Sequence, residues 1–339
     1  MDIAAVDYDL PPEVIAQTPV EPRDAARLLI DEGVGRPPRH GHIPDLVGLL
    51  GPGDVVVVNT TRVLPARLRL HKPRGGAVEV LLLEPVADDD PHRWEALVRP
   101  SRKVPPGTAL SDGADLTVVV GDDLGEGRRV VELTLPLGAG VLEVLARHGT
   151  LPLPPYITTP LADPDRYQTT YADQPGSVAA PTAGLHLTSS LLDRVRTAGA
   201  RVATVELAVG LGTFRPIGTE QVEAHRMHGE RYRVPEATMA ACHAAERVVA
   251  VGTTTVRALE SAAATRELAG RTELFIHGER PFAVVDALLT NFHQPRSSLL
   301  VLVDAFVGPR WRSLYAEALR SGYRFLSFGD AMFLRRERA

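Results

Sequence analysis

One cysteine, Cys242, stands among 339 residues. A single thiol excludes an intrachain disulfide, a thiolate zinc site and a two-cysteine redox motif, and Cys242 itself reads as a helix-packing residue. Long apolar runs are missing too, since none approaches the roughly 18 residues that span a bilayer. The first residues lack a basic region followed by an apolar stretch and a cleavage site, so a soluble, cytoplasmic protein without a membrane partner is expected. Positive charge is not in excess. The formal net charge is −5, which does not advertise a nucleic-acid binder. There is no internal repeat, low-complexity tract, P-loop, zinc-protease helix or serine elbow. Gly210-Leu211-Gly212-Thr213-Phe214 follows a strand but is not G-x-G-x-x-G, which disfavours a Rossmann dinucleotide site.

What is present is an ordinary globular balance, 44% apolar and 23% charged, on a chain long enough for two domains. Residues 60–78 contain no acid but hold Arg62, Arg67, Arg69, His71, Lys72 and Arg74, and the acid-free residues 96–111 hold Arg99, Arg102 and Lys103. Side by side, these two segments would make a basic patch able to meet phosphates; apart, they are two solvated loops.

The β-branched run 55–58 predicts a strand buried on both faces, ending at Asn59 and Arg62, where α/β proteins place ligands. From 66 to 151 short strands separated by turns, at 67–70, 77–83, 94–98, 116–120 and 129–135, predict a small β-barrel. A helix is expected over 141–148. Beyond 188 strands and helices alternate, with strands expected at 201–209, 248–251, 282–289, 298–306 and 323–328. Helices are expected at 189–198, 235–247, 256–268 and 311–321, packed on a largely parallel sheet. The β-rich block interrupts this pattern, so the larger domain, 1–63 and 152–339, is expected to be discontinuous around an inserted domain, 64–151.

Residues 166–187 read as an active-site floor. Gly176, Ser177, Ala179, Ala180, Pro181, Thr182, Ala183 and Gly184 carry little bulk, so a ligand can lie against their main chain, and Tyr167, Gln168, Thr169, Tyr171, Thr182 and His186 supply polar groups. Gly252, Thr253 and Thr254 form a small-residue turn between a strand and a helix, a geometry suited to an anionic group, with Arg257 one turn on. His225, His228 and Glu230 fall within six residues, a spacing open to proton transfer, to metal ligation or to a structural hydrogen-bond network. Asp286 is an acid inside an apolar run, costly to bury unless paired, and Asn291 and His293 follow it. Asp330 suits a cap of the final segment.

Taken together, long blocks in order make the chain resemble the S-adenosylmethionine:tRNA ribosyltransferase-isomerase family of queuosine biosynthesis. They are YDLP at Tyr8, NTTRVLPARL at Asn59, GGAVEVLLLE at Gly75, LPLPPYI at Leu151, RYQTTYA at Arg166, GSVAAPTAGLHL at Gly176, VGLGTF at Val209, HRMHGE at His225, VGTTTVRALES at Val251, VVDALLTNFHQPRSSLL at Val284 and YRFLSFGDAM at Tyr323. The resemblance implies an α/β protein, an αβα sandwich carrying an inserted Greek-key-type β-barrel. It implies transfer and isomerisation of the ribosyl part of S-adenosylmethionine onto a 7-aminomethyl-7-deazaguanine base at the tRNA wobble position, with adenine and methionine leaving. It needs no metal and no cofactor, since S-adenosylmethionine is consumed. Partners are then tRNA and S-adenosylmethionine, and a monomer is expected.

The chemistry needs a base, an acid for departing adenine, and exclusion of water. His228 with Glu230, His186 and Asp286 are the proton-transfer candidates. Gly210, Gly212, Thr213, Phe214, Gly252, Thr253, Thr254 and Arg257 would cradle the methionine or adenosine portions. Asn59, Tyr167, Gln168, Thr169, Tyr171, Pro181, Thr182, Ala183, Gly184, His225, Asn291, His293 and Asp330 complete the substrate-binding set, with Arg62 and the basic barrel face toward tRNA. The chain departs from the family in three places. Ala208 stands where a histidine is usual, His277-Gly278-Glu279 where Tyr-Pro-Gly is usual, and Thr60 where Asn or Asp is common. Three other readings remain at this point: an acceptor other than this base, a catalytically reduced tRNA-binding protein, and a metal-dependent hydrolase built on His225, His228 and Glu230.

Overall fold

The computed structural model of the chain describes residues 1–87, 89–210 and 217–336. They form two compact units, one of Met1–Arg62, Pro154–Gln174 and Ala180–Ala339, the other of Val63–Leu153 and Pro175–Ala179. In chain order the strands of the two main sheets are β1 (Arg27–Ile30), β2 (Arg39–His42) and β3 (Asp54–Asn59), then β4 (Arg67–His71), β5 (Ala77–Ala87), β6 (Asp90–Arg99), β7 (Ala109–Ser111), β8 (Thr117–Gly125) and β9 (Arg128–Thr134). After them come β10 (Arg201–Leu207), β11 (Glu230–Arg233), β12 (Arg247–Val251), β13 (Ala269–Thr272), β14 (Ala287–Asn291) and β15 (Ala331–Arg335). The helices are α1 (Val141–His148), α2 (Ser189–Thr197), α3 (Glu236–Ala244), α4 (Thr253–Thr265), α5 (Ser298–Val307) and α6 (Trp311–Arg320).

The larger unit is built on a nine-stranded sheet, β13-β11-β10-β3-β12-β14-β15-β1-β2. Its centre, β10-β3-β12-β14, is parallel, so Leu207, Asn59, Val251 and Asn291 end at one edge. All six residues of β3 are buried. On one face Val56, Val58, Val249, Val251, Ala287 and Leu289 pack with Leu191, Leu192 and Val195 of α2. The alternate positions Val55, Val57, Val248 and Ala250 are buried as well. A run without alternation is the mark of a strand covered on both sides.

Three segments differ from the sequence expectation. The apolar run 298–306 is helix α5, not a strand. Ser297 caps it, its Oγ accepting from the Leu300 N–H at 3.2 Å, and Gly308 at φ +64° ends it. The run is apolar on nearly every side, so periodicity did not separate a buried helix from a buried strand. Residues 282–286 are not strand either. The buried Glu260 of α4 accepts the N–H groups of Ala283, Val284 and Val285 at 2.8, 3.0 and 3.0 Å, taking the donors a ladder would use. At 323–328 there is likewise no strand, because Leu326 lies at φ +69° and Asp330 captures the Arg324 N–H; the strand is β15, buried between β14 and β1. Helix α4 begins at Thr253 rather than Val256, directly after Gly252.

The smaller unit is a closed barrel, β9-β6-β5-β4-β7-β8. Within it Lys72 Nζ donates to the Lys103 carbonyl at 2.7 Å, so the two acid-free segments do lie side by side. Arg69, Arg74, Arg99, Arg102 and Lys103 are exposed. Buried Arg129 holds the turn beneath them, donating to Ser101 Oγ, Ser101 O and Val104 O at 3.0–3.2 Å.

Candidate active site

The strand ends of the larger unit are tied by side chains rather than left open. Asn59, at the end of β3, donates from Nδ2 to Leu207 O at 3.0 Å and to Thr254 Oγ1 at 3.3 Å. Its Oδ1 accepts from Leu207 N and Thr61 N at 3.2 and 3.1 Å. Next along the edge, β12 turns into α4 through Gly252 at φ +86°, a conformation that favours glycine, and Thr253 and Thr254 form the first turn of the helix.

A second network is centred on Asn291, the last residue of β14. Thr182 Oγ1 donates to its Oδ1 at 2.9 Å, which turns its Nδ2 toward His186 Nε2 at 3.2 Å and toward Asp330 O at 3.4 Å. His186 therefore accepts at Nε2, and its other nitrogen bonds the Arg23 backbone. Burial, then Arg166 and Arg324, push this imidazole down to about 4, so it is neutral. Thr182, Ala183, Gly184 and His186 share one 3₁₀ turn entered from Pro181. A β-carbon at Gly184 would fall on the Tyr171 hydroxyl, which is why the turn needs glycine there. Tyr167 is fully buried edge-on to Phe328 at 5.9 Å; Gln168 and Thr169 are buried beside it, and burial pushes the Tyr171 phenol up. A small cleft opens on this network, lined by Tyr156, Thr182, Asn291, His293 and Ser327 among others.

The third group sits at the start of β11. Glu230 and Arg257 form a buried ion pair, and Glu230 Oε1 also accepts the Gly210 N–H at 2.7 Å. Arg257 Nε donates to Leu274 O at 3.1 Å. Just outside, His225 lies edge-on to Phe275 at 5.3 Å, and His277 lies at 5.0 Å from the same ring. Partial burial, then His228, push His225 down. His228 is exposed.

These placements sort the candidates. Asn59, Thr182, Ala183, Gly184, His186, Gly252, Thr253, Thr254, Asn291 and Asp330 come to one edge of the sheet, with Gly210, Glu230 and Arg257 at the same end of β10 and β11. Asp286 does not join them. It precedes β14 at the opposite edge, where its Oδ2 accepts the Val248 N–H at 2.9 Å. Glu230 is engaged by Arg257 and Gly210 rather than by His228, and His186 uses its lone pair on Asn291. His225, His228 and Glu230 do not converge as ligands, and among the described residues no group of three His, Cys, Asp or Glu gathers for a metal. His293 bonds Thr290 Oγ1 at 2.8 Å, and burial pushes it down to about 3. Asp330 accepts both the Arg27 and Arg324 N–H groups at 2.8 Å, organising a loop rather than capping a strand. Arg62 is half-exposed, 4.0 Å from Asp165. Gly212, Thr213 and Phe214 lie outside the described residues. Ala208 pairs through its N–H with Arg231 O. Sequence reasoning missed Arg23, Arg324 and Glu260, each charged and anchored on backbone far away in the chain, with no local signal to mark it.

The family model described as queuosine biosynthesis protein matches residues 3–334. The chain is 52% identical to the S-adenosylmethionine:tRNA ribosyltransferase-isomerase of Rubrobacter xylanophilus, over 97% of this chain and 96% of that one. It is 49% identical to the protein of the same name from Anaeromyxobacter dehalogenans, over 99% and 100%. The crystal structure of S-adenosylmethionine tRNA ribosyltransferase from Thermotoga maritima superposes with a TM-score of 0.55 at 35% identity, over 97% of this chain and 99% of that one.

Proposed function

Because the chain belongs to the queuosine biosynthesis protein family, we propose that it is an S-adenosylmethionine:tRNA ribosyltransferase-isomerase. The observation that carries this is the match at 52% identity along 97% of the chain. The enzyme moves the ribosyl part of S-adenosylmethionine onto the aminomethyl group of 7-aminomethyl-7-deazaguanine at the tRNA wobble position, and the sugar becomes an epoxycyclopentane. Adenine and methionine depart with their bonding electron pairs, so the conversion calls for no external oxidant or reductant, and S-adenosylmethionine is a substrate rather than a cofactor. It acts in the cytoplasm, as a monomer.

His228 is the proton-transfer residue of this reading, because its imidazole is exposed beside the strand-end site while Glu230, His186 and Asp286 are engaged elsewhere. Thr182, Asn291 and neutral His186 orient substrate in the adjoining cleft. The Glu230–Arg257 pair acts as a positioning element, holding the Gly210 backbone. The barrel's basic face takes tRNA phosphates, a role supported by the Lys72–Lys103 contact. We read the fold as an αβα sandwich with a Greek-key-type barrel, supported by burial on both faces of β3 and by β7 returning beside β4. The test incubates purified protein with S-adenosylmethionine and tRNA bearing the aminomethyl-deazaguanine base. Release of adenine and methionine with the matching mass gain on the nucleoside is the expected result. Consumption of S-adenosylmethionine without that nucleoside would move the acceptor elsewhere, and binding of tRNA without consumption would reject the enzyme.

A further inference from the structure

Arg129 is a charge placed where the barrel's strand pattern calls for an apolar side chain. It shares the inward-facing register of β9 with buried Val131 and Leu133. Its one carboxylate partner among the described residues, Asp123, stands 3.6 Å away and is itself mostly exposed. Burying a guanidinium with so little counter-charge is costly, so its hydrogen bonds show what the charge serves. Nε donates to Ser101 Oγ at 3.0 Å, Nη2 to Ser101 O and Val104 O at 3.2 and 3.0 Å, and Nη1 to Gly121 O at 3.4 Å. Three of these four bonds end on one short turn, the 3₁₀ segment Ser101–Lys103 and the residue after it.

A second cation holds the same turn, since Lys72 Nζ takes the Lys103 carbonyl at 2.7 Å. Val104 is fully buried and closes the turn with its N–H on Ser101 O at 3.0 Å. The carbonyls of Ser101, Lys103 and Val104 are thus all taken up by cations, which offsets their negative ends for an approaching anion. The side chains of Arg102 and Lys103, by contrast, are exposed and make no ion pair among the described residues. Such a turn is set for phosphate before phosphate arrives, and a backbone already ordered has less entropy to lose on binding.

We infer that buried Arg129 is a positioning residue for tRNA, holding the 101–104 turn in the conformation that presents Arg102 and Lys103 to the phosphate backbone without touching RNA itself. The inference rests on the reading that the barrel's basic face takes tRNA. It adds that this face is built in advance, from inside the barrel.

The experiment measures the Kd of tRNA, the KM of S-adenosylmethionine and folding by circular dichroism for wild type, R129M, R129K, R102Q/K103Q and R102Q/K103Q/R129M. Folded R129M should bind tRNA about fivefold or more weakly, with the KM for S-adenosylmethionine unchanged, and R129K should recover part of the loss. In the R102Q/K103Q background the same substitution should change tRNA binding by less than about twofold, since a residue acting through those two cations has nothing left to present. A loss as large in that background as in wild type, or no loss in folded R129M, overturns the inference. Wild type decides where R129M does not fold. Hydrogen exchange at the Lys103 and Val104 amides should be slow in the free protein and change little when tRNA is added; fast exchange that slows only with tRNA overturns the inference. R102Q/K103Q binding tRNA as tightly as wild type would remove the barrel-face reading and this inference together, whereas weakened binding there with unchanged binding in folded R129M rejects Arg129 alone.

Discussion

His228 differs from the other proton-transfer candidates in being exposed at the strand-end site rather than tied into a buried network. H228A should lower turnover about 100-fold or more while leaving S-adenosylmethionine and tRNA binding intact; near-normal turnover would remove it from that role. His186 and His293 behave in the opposite way. Both are depressed by burial, to about 4 and about 3, so below the ordinary value near 6.5 the unfolded chain takes up protons that the folded state refuses. The stability their neutrality contributes is complete above about pH 6.5 and is lost as pH falls from there toward 4 for His186 and 3 for His293. The urea midpoint should decline through that window, and less steeply in H186Q; an identical decline in H186Q would show that His186 contributes nothing. Gly184 is set by its neighbour. G184A should cost about 1–3 kcal/mol by overpacking against the Tyr171 hydroxyl. That hydroxyl is buried without a hydrogen-bond partner, so Y171F should restore much of the loss in the double variant, and additive losses would mean the two groups do not compete.

Among the elements, α4 does most to fix segments that follow it in the chain, because its side chains reach their backbone groups. Arg257 holds the Leu274 carbonyl and pairs with Glu230, while Glu260 gathers three N–H groups at 283–285. E260A should leave those donors unsatisfied at about 1–3 kcal/mol and selectively speed hydrogen exchange at Ala283, Val284 and Val285. Unchanged protection there would mean that packing of the buried Val284 and Val285 orders the segment without the carboxylate. Glu260 also explains why the apolar residues 282–286 read as a strand and are not one. Local composition was right about burial and silent about where the backbone donors go. Helix α5 shows the same limit, since an apolar run covered on nearly every side has no period to read. Strands 55–58 and 248–251 were legible because a β-branched run bounded by polar residues has few other solutions.

At the scale of the whole molecule, a net charge of −5 coexists with a concentrated basic face on the barrel. R102Q/K103Q should weaken tRNA binding and reduce the slope of log K against log salt by about 0.7–0.9 per removed charge, with the KM for S-adenosylmethionine unchanged. A slope equal to wild type would place tRNA elsewhere. The sequence by itself determined the family, through long ordered blocks that no single motif could match in specificity, and it determined the buried strands and the small-residue turns at their ends. Which charged groups work together was decided only by tertiary structure. Asp286 and Asn291 are five residues apart yet lie at opposite ends of the strands, because one immediately precedes the short strand β14 and the other ends it. Glu230 is two residues from His228 but spends its charge on Arg257, 27 residues away. A carboxylate's chemistry is set by the nearest donor in space, and burial makes that pairing obligatory.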